Sequence, residues 1–311
     1  MKLKQYPGQI LERYDGISVE ASRVLEAGPT SGFDRSAENL PKLRQEIKTR
    51  MVPIIQRALS ESGVRTQNEI IAGMECLTVH PIEKTVDWDI LFCFGGGFVK
   101  GSPFEDLVIA APLSAKTGAR VILPNYRLAP EHPWPAAIDD VFSVYSALAD
   151  AQFALVGESA GGNLALSVML RARSKDVPLP TALTLLSPWC DLGNSGDSLV
   201  TNDGRDPTLR LHELEISAGH YVAGNDPNDP SISPINGLFD PGFPPSLITT
   251  GTRDLLLSQS VHLANRLLES GVSVDLQVWE NLWHVFEWDN QIPEARKSIS
   301  RIANFLAKQM R

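Results

Sequence analysis

The sequence predicts an α/β domain with a mainly parallel central sheet flanked by helices and a helical cap. Three observations carry that expectation. From about residue 70 onward, short apolar runs alternate with helical segments, the pattern of β–α–β units that build parallel sheets. The runs "DWDILFCF" and "ARVILPNY" are apolar enough to be buried on both faces. Two stretches, the first 65 residues and the segment 192–237, break the rhythm and would form a lid over one edge of the sheet.

Taken in order, the chain starts with a polar, helical region up to about Val64. Within it Leu40, Leu43, Ile47, Met51, Ile54, Ile55 and Leu59 recur at helical spacing, and Pro53 is expected to kink or divide the helix. "MECLTVHP" reads as a strand and precedes the two buried runs. A helix over 135–150, the strand "QFALVG", a helix over 160–173 and the strand "TALTLLS" follow. The segment 192–237 holds one helix, "LRLHELEISAGHYVAG", and the proline-rich return "NDPNDPSISP". The alternation resumes with "SLITTG", the helix "LSQSVHLANRLLESG", the strand "SVDLQVWE" and a last helix over 294–310. The expected organisation is an N-terminal cap element over 1–65 and a catalytic domain over 66–311. Residues 192–237 would contribute a further cap segment.

Composition narrows the partners. With 311 residues there is enough chain for one large core, and a net charge of -9 disfavours nucleic acid or an anionic membrane surface. Cys76, Cys93 and Cys190 are far apart, form no C-x-x-C and are odd in number, which fits buried free thiols in a reducing compartment. No apolar run approaches the roughly 20 residues of a membrane span. The opening "MKLKQYPGQILERYDG" lacks the apolar stretch of a signal peptide, so a cytoplasmic location is expected.

The strongest chemical signal is "VGESAGG", in which Gly157, Ser159 and Gly161 fill G-x-S-x-G. It falls at the end of an apolar strand and the start of a helix, where a sharp turn exposes the serine and needs small neighbours. A serine hydroxyl is a weak nucleophile at neutral pH and needs a base held by an acid. In this architecture the partners follow in the order serine, acid, histidine, on loops after later strands. His80 and His132 come too early, His212 and His220 lie in the presumed lid, and His262 falls inside a helix. His284, in "ENLWHVFEW", remains. Asp254 in "SLITTGTRDLLL" is the matching acid, with Glu280 as a minor alternative, whereas Asp139, Asp140 and Asp191 come too early and are expected to be structural. Glu158 beside the serine should point away from the hydroxyl and play a supporting part at most.

Acyl transfer builds negative charge on the former carbonyl oxygen, so preorganised N–H donors are needed there. The amide of Ala160, after the nucleophile, is one donor. The others should come from "CFGGGF", where glycines let backbone N–H groups turn inward with no side chain in the substrate's path. A phosphate loop is disfavoured, because neither GxxxxGK[ST] nor GxGxxG is present.

The motifs "GGGF" with "GS" at 101–102, "YRLAPEHPWPAAIDD", "GESAGGNLA", "SPWCDL", "DPSISP", "GTRDLL" and "WHVF" occur in that order. Through them the chain resembles the hormone-sensitive-lipase-like branch of the α/β-hydrolases, esterases with a helical cap, over about residues 70 to 310. The resemblance implies an α/β-hydrolase fold, Ser159 as nucleophile, His284 as base and Asp254 as its orienter. It implies an oxyanion hole of the Gly96, Gly97 and Ala160 amides, with Gly95 shaping the turn and "YRLAPEHPWP" supporting the site. One position departs from the pattern: the family usually has histidine where this chain has Phe94, so the loop must be steadied by packing or by another residue.

The expected activity is hydrolysis of small to medium acyl esters through an acyl-enzyme, with neither metal nor cofactor. Amide, lactone or carbamate hydrolysis on the same triad is the first rival. A non-catalytic ligand-binding homologue is disfavoured by the presence of both His284 and Asp254. Similar enzymes are commonly dimers, so a homodimer is compatible with the resemblance.

Overall fold

The computed structural model describes residues 16–311. Residues 1–15, the start of the expected N-terminal cap element and of the stretch read as lacking a signal peptide, lie outside the described residues. The chain begins with α1 (Val19–Glu26) and α2 (Leu40–Ser62). Ser18 caps α1 by accepting from the Ala21 amide at 3.1 Å, and Glu294 takes hydrogen bonds from both the Ser18 amide and hydroxyl, tying α1 to the C-terminal helix. Pro53 sits inside α2 without dividing it, and the helix ends where Gly63 takes the left-handed conformation. On its inward face α2 buries Leu40, Leu43, Met51 and Ile55. Arg44 fastens it to the body of the protein, donating to the carbonyls of Val99 and Ala129 at 2.8 Å.

The sheet elements then follow: β1 (Arg65–Ile71), β2 (Met74–His80), β3 (Asp89–Cys93), α3 (Leu107–Thr117), β4 (Arg120–Pro124), α4 (Ala136–Leu148), β5 (Phe153–Glu158), α5 (Ala160–Ser174) and β6 (Ala182–Leu186). After β6 the segment 192–237 contributes α6 (Ser198–Thr201) and α7 (Leu211–Val222) before β7 (Ser246–Gly251), α8 (Leu257–Glu269), β8 (Val274–Trp279) and α9 (Pro293–Gln309). Among the described residues the eight strands form one sheet in the order β1-β2-β4-β3-β5-β6-β7-β8. Strands β3 to β8 pair in parallel with one another, and β2 runs antiparallel to both β1 and β4. This is the α/β-hydrolase architecture expected from the sequence.

The short α6, β1 and α3 were not individually expected. β1 is polar and mostly exposed, so its residues look like loop until β2 pairs with it along its whole length. α3 is apolar nearly all round and contains Pro112, which hides its period; it is buried between the sheet, α2 and α9. The strands β5 and β6 are buried at every position, as a sheet covered on both faces requires. Cys76, Cys93 and Cys190 are free and buried, and burial pushes the thiols of all three up. No helix among the described residues is long and apolar enough to cross a membrane.

Leu155, fully buried on the central strand β5, pairs with Leu91 of β3 and Leu183 of β6. Leu155→Ala is expected to destabilise the domain by about 2–5 kcal/mol, measured as a lower midpoint of urea unfolding followed by circular dichroism.

Candidate active site

Ser159, Asp254, His284 and the glycines 95–97 lie in loops at the carboxyl edge of the parallel strands, where open α/β sheets hold their ligands, with Glu158 ending β5 and Ala160 opening α5. Ser159 stands between β5 and α5 with φ 53° and ψ -120°, a conformation that costs a non-glycine residue energy and persists only where its surroundings enforce it. The enforcement is visible: its amide donates to the Leu186 carbonyl at 2.9 Å, and its carbonyl accepts from the Trp189 amide at 3.0 Å. Directly beneath, the first turn of α5 presses on the end of β3. A Cβ at Gly161 would run into the carbonyl oxygens of Cys93 and Phe94, so only glycine permits this approach.

The loops after β7 and β8 bring the other two residues to the serine. His284 Nε2 lies 2.9 Å from Ser159 Oγ, and its Nδ1 lies 3.1 Å from Asp254 Oδ1. Asp254 is fixed by its own loop, accepting from the Leu256 amide and the Thr250 hydroxyl, each at 2.8 Å. Burial alone would raise the Asp254 carboxyl, but the His284 charge and these hydrogen bonds hold it below the usual carboxylate value. Burial alone would lower the His284 imidazole; the surrounding carboxylates of Asp254, Asp206 and Glu158 raise it above 6.5 on balance.

The remaining candidates lie elsewhere. His132, His212 and His262 are exposed, His80 contacts Thr78 and Glu69, and His220 meets the Arg35 carbonyl. Asp139 pairs with Arg171 and Asp140 with Arg127, while Asp191 ties down the turn at Gly193 and Ser195. Glu280 is exposed beside Thr252 and does not reach His284.

The glycine loop follows β3. Gly96 adopts φ 106°, and a Cβ there would strike the Lys100 backbone, whose amide in turn donates to the Gly96 carbonyl at 3.1 Å. Among the described residues nothing accepts a hydrogen bond from the amides of Gly96, Gly97 or Ala160. The Gly95 amide instead donates to the Glu158 carboxylate, so Glu158 does turn away from the hydroxyl and toward the loop. Burial pushes Glu158 up to about 7 against the opposing pull of His284, the Gly95 amide and Lys100.

Phe94 is buried and stacks on Tyr126 with ring centroids 3.9 Å apart and planes 9° from parallel. The Tyr126 hydroxyl donates to the Phe94 carbonyl at 2.6 Å. Tyr126 sits in "YRLAPEHPWP", and its part in holding the glycine loop had no signal in the sequence beyond that motif. Thr250 and Asp206 were also missed, because short polar residues in loops announce nothing until the fold closes around them.

Ser159, His284, Gly96 and Gly97 line one cavity of about 640 Å³. Its apolar wall comes from the N-terminal region with Phe33, Ile47, Met51 and Ile54, the 192–237 segment with Leu209 and Leu214, and the stretch after β8 with Trp283 and Trp288.

Comparison with known proteins agrees with the fold. The family model described as the α/β-hydrolase fold matches residues 90–288. An acetyl-hydrolase of Streptomyces hygroscopicus is 34% identical over 223 residues, which span 70% of this chain and 74% of the relative. A solved esterase structure superposes with a TM-score of 0.87 at 29% identity, covering 99% of both chains. A second, described as an esterase of the bacterial hormone-sensitive lipase family, gives 0.82 at 29% identity over 94% of this chain and 99% of its own. With this sheet and these similarities, the chain belongs to the α/β-hydrolase fold family and is an esterase of its hormone-sensitive-lipase-like branch.

Proposed function

We propose that the protein hydrolyses small to medium acyl esters through a covalent acyl-enzyme on Ser159. The observation that carries this is the continuous contact from Ser159 Oγ through the His284 ring to Asp254, at 2.9 and 3.1 Å. His284 takes the hydroxyl proton as Ser159 attacks the ester carbonyl, and Asp254 holds the ring and balances the imidazolium that forms. The proton passes to the departing alcohol. A water activated by His284 then releases the acid and restores the serine.

The oxyanion of each tetrahedral intermediate is received by the Gly96, Gly97 and Ala160 amides, whose lack of partners among the described residues supports the assignment. Each such donor contributes on the order of 3 kcal/mol to catalysis. Phe94 fills the place of the usual histidine, so its stack on Tyr126 and the Tyr126 hydroxyl anchor the loop. The N-terminal helices and the 192–237 segment act as the cap, and the largely apolar cavity beneath them favours short acyl groups over long ones.

Three outcomes test the proposal. Ser159→Ala should lower kcat on p-nitrophenyl butyrate by roughly 10³-fold or more, and equal turnover by the variant would rule out the nucleophile; matched amides and lactones should be poor substrates. Because His284 acts only when neutral and its pKa is raised, kcat/KM should fall on the acid side with a midpoint above 6.5. Tyr126→Phe should reduce kcat about 3–10-fold, the kinetic equivalent of one lost hydrogen bond, with little change in KM. An unchanged kcat would mean that the stack alone steadies the loop.

A further inference from the structure

The 192–237 segment reaches beneath the site as well as over it. Asp206 is buried, and its two oxygens take four hydrogen bonds. Oδ1 accepts from the amide and hydroxyl of its neighbour Thr208, at 2.8 and 2.9 Å. Oδ2 accepts from the Leu255 amide at 3.1 Å and from the His284 amide at 3.2 Å. One carboxylate oxygen therefore bridges the loop that carries Asp254 and the loop that carries His284.

Neighbouring contacts repeat the connection. The Thr208 hydroxyl also faces the His284 carbonyl at 3.3 Å, and Asn202 donates to the carbonyls of Thr252 and Asp254 at 3.2 and 2.8 Å. On the other side, the Thr30 amide donates to the Pro207 carbonyl at 2.7 Å, which joins the N-terminal region to the same turn. Buried backbone groups of both catalytic loops thus find their partners on the 192–237 segment rather than in water.

We propose that Asp206 is a positioning residue for His284, locking the two catalytic loops to the cap and placing a second buried negative charge beside the imidazole. This rests on the Ser159–His284–Asp254 assignment above. The titratable groups that face His284 are Asp254 from the β7 loop, Asp206 from the cap and Glu158 from the end of β5. Nearby cations are directed elsewhere: Arg205 donates to Asn202, and Arg253 reaches Asn281. Among the described residues no lysine or arginine forms an ion pair with Asp206. Burial, with the Asp254 charge, raises the Asp206 carboxyl to about 6, while His284 and the Thr208 and Leu255 amides pull it back. Near neutral pH it is therefore mainly ionised and favours the imidazolium that forms during each proton transfer.

Asp206→Asn separates charge from packing, because the amide oxygen can still accept from Leu255 and His284. The acid limb of kcat/KM should move to lower pH by about 0.5–1, and kcat should fall more than KM changes. In a Ser159→Ala background, the His284 ring followed by proton NMR should titrate lower by the same amount when Asp206→Asn is added. Asp206→Glu should restore part of the shift. A pH profile and a His284 titration that superpose on those of the protein with Asp206 would overturn the proposal, whatever the loss of stability. If Asp206→Asn does not fold, the carboxyl carbon of Asp206 in the Ser159→Ala protein gives the answer. Its resonance should inflect at the His284 midpoint, and a curve without that inflection sinks the idea. Hydrolysis that survives Ser159→Ala would remove the triad assignment instead, and the two NMR titrations would still decide the coupling.

Discussion

The backbone of Ser159 is the constraint on which the site depends. With φ at 53° the residue occupies a region that side chains avoid, at a cost of about 1–3 kcal/mol. The fully buried strand β5, the Leu186 carbonyl and the Trp189 amide maintain it. The turn starts α5 abruptly at Ala160 and presses the helix against the end of β3. That contact needs Gly161, and the strand it touches leads straight into the glycine loop. Ser159 and the glycine loop are therefore two ends of one packing arrangement.

A second theme is the density of buried acid. Asp254, Asp206, Glu158 and Glu287 all lie within the core near one histidine, and isolated carboxylates there would be strongly disfavoured. Their hydrogen bonds come mainly from neutral donors: amides for Asp206 and Glu158, the Thr249 and Ser298 hydroxyls on one oxygen of Glu287, an amide, a hydroxyl and the histidine for Asp254. Hydrogen bonding from these groups opposes the upward push of burial, and the charges of Asp254, Asp206 and Glu158 act on His284. Lys100, in the same cavity wall, answers the opposite way: burial and nearby Arg35 lower it to about 8.

Phe94 shows how a loop can be held without the usual ring nitrogen. A phenyl ring offers no hydrogen bond, but it offers a flat apolar face, and Tyr126 uses that face while its hydroxyl takes the backbone carbonyl. The polar contact moves from the side chain of position 94 to its main chain. The amides of Gly96 and Gly97, being main chain, are untouched by the identity of residue 94.

Much of the fold was legible in the chain. Apolar runs alternating with helical periods specify a parallel sheet because strands buried on both faces are predominantly apolar. G-x-S-x-G at a strand end marks a turn only small residues permit, and chain order singled out His284 and Asp254. What failed to show were elements with weak or masked periods, the polar β1 and the uniformly apolar α3, which depend on neighbours for their burial. The tertiary structure alone decided that Asp206 accepts from the Leu255 and His284 amides, that Asn202 donates to the carbonyls of Thr252 and Asp254, and that Tyr126 meets the main chain at the position of the missing histidine. Such contacts join residues 32 to 78 positions apart. Their donors and acceptors are ordinary loop chemistry until folding excludes water and leaves them only each other.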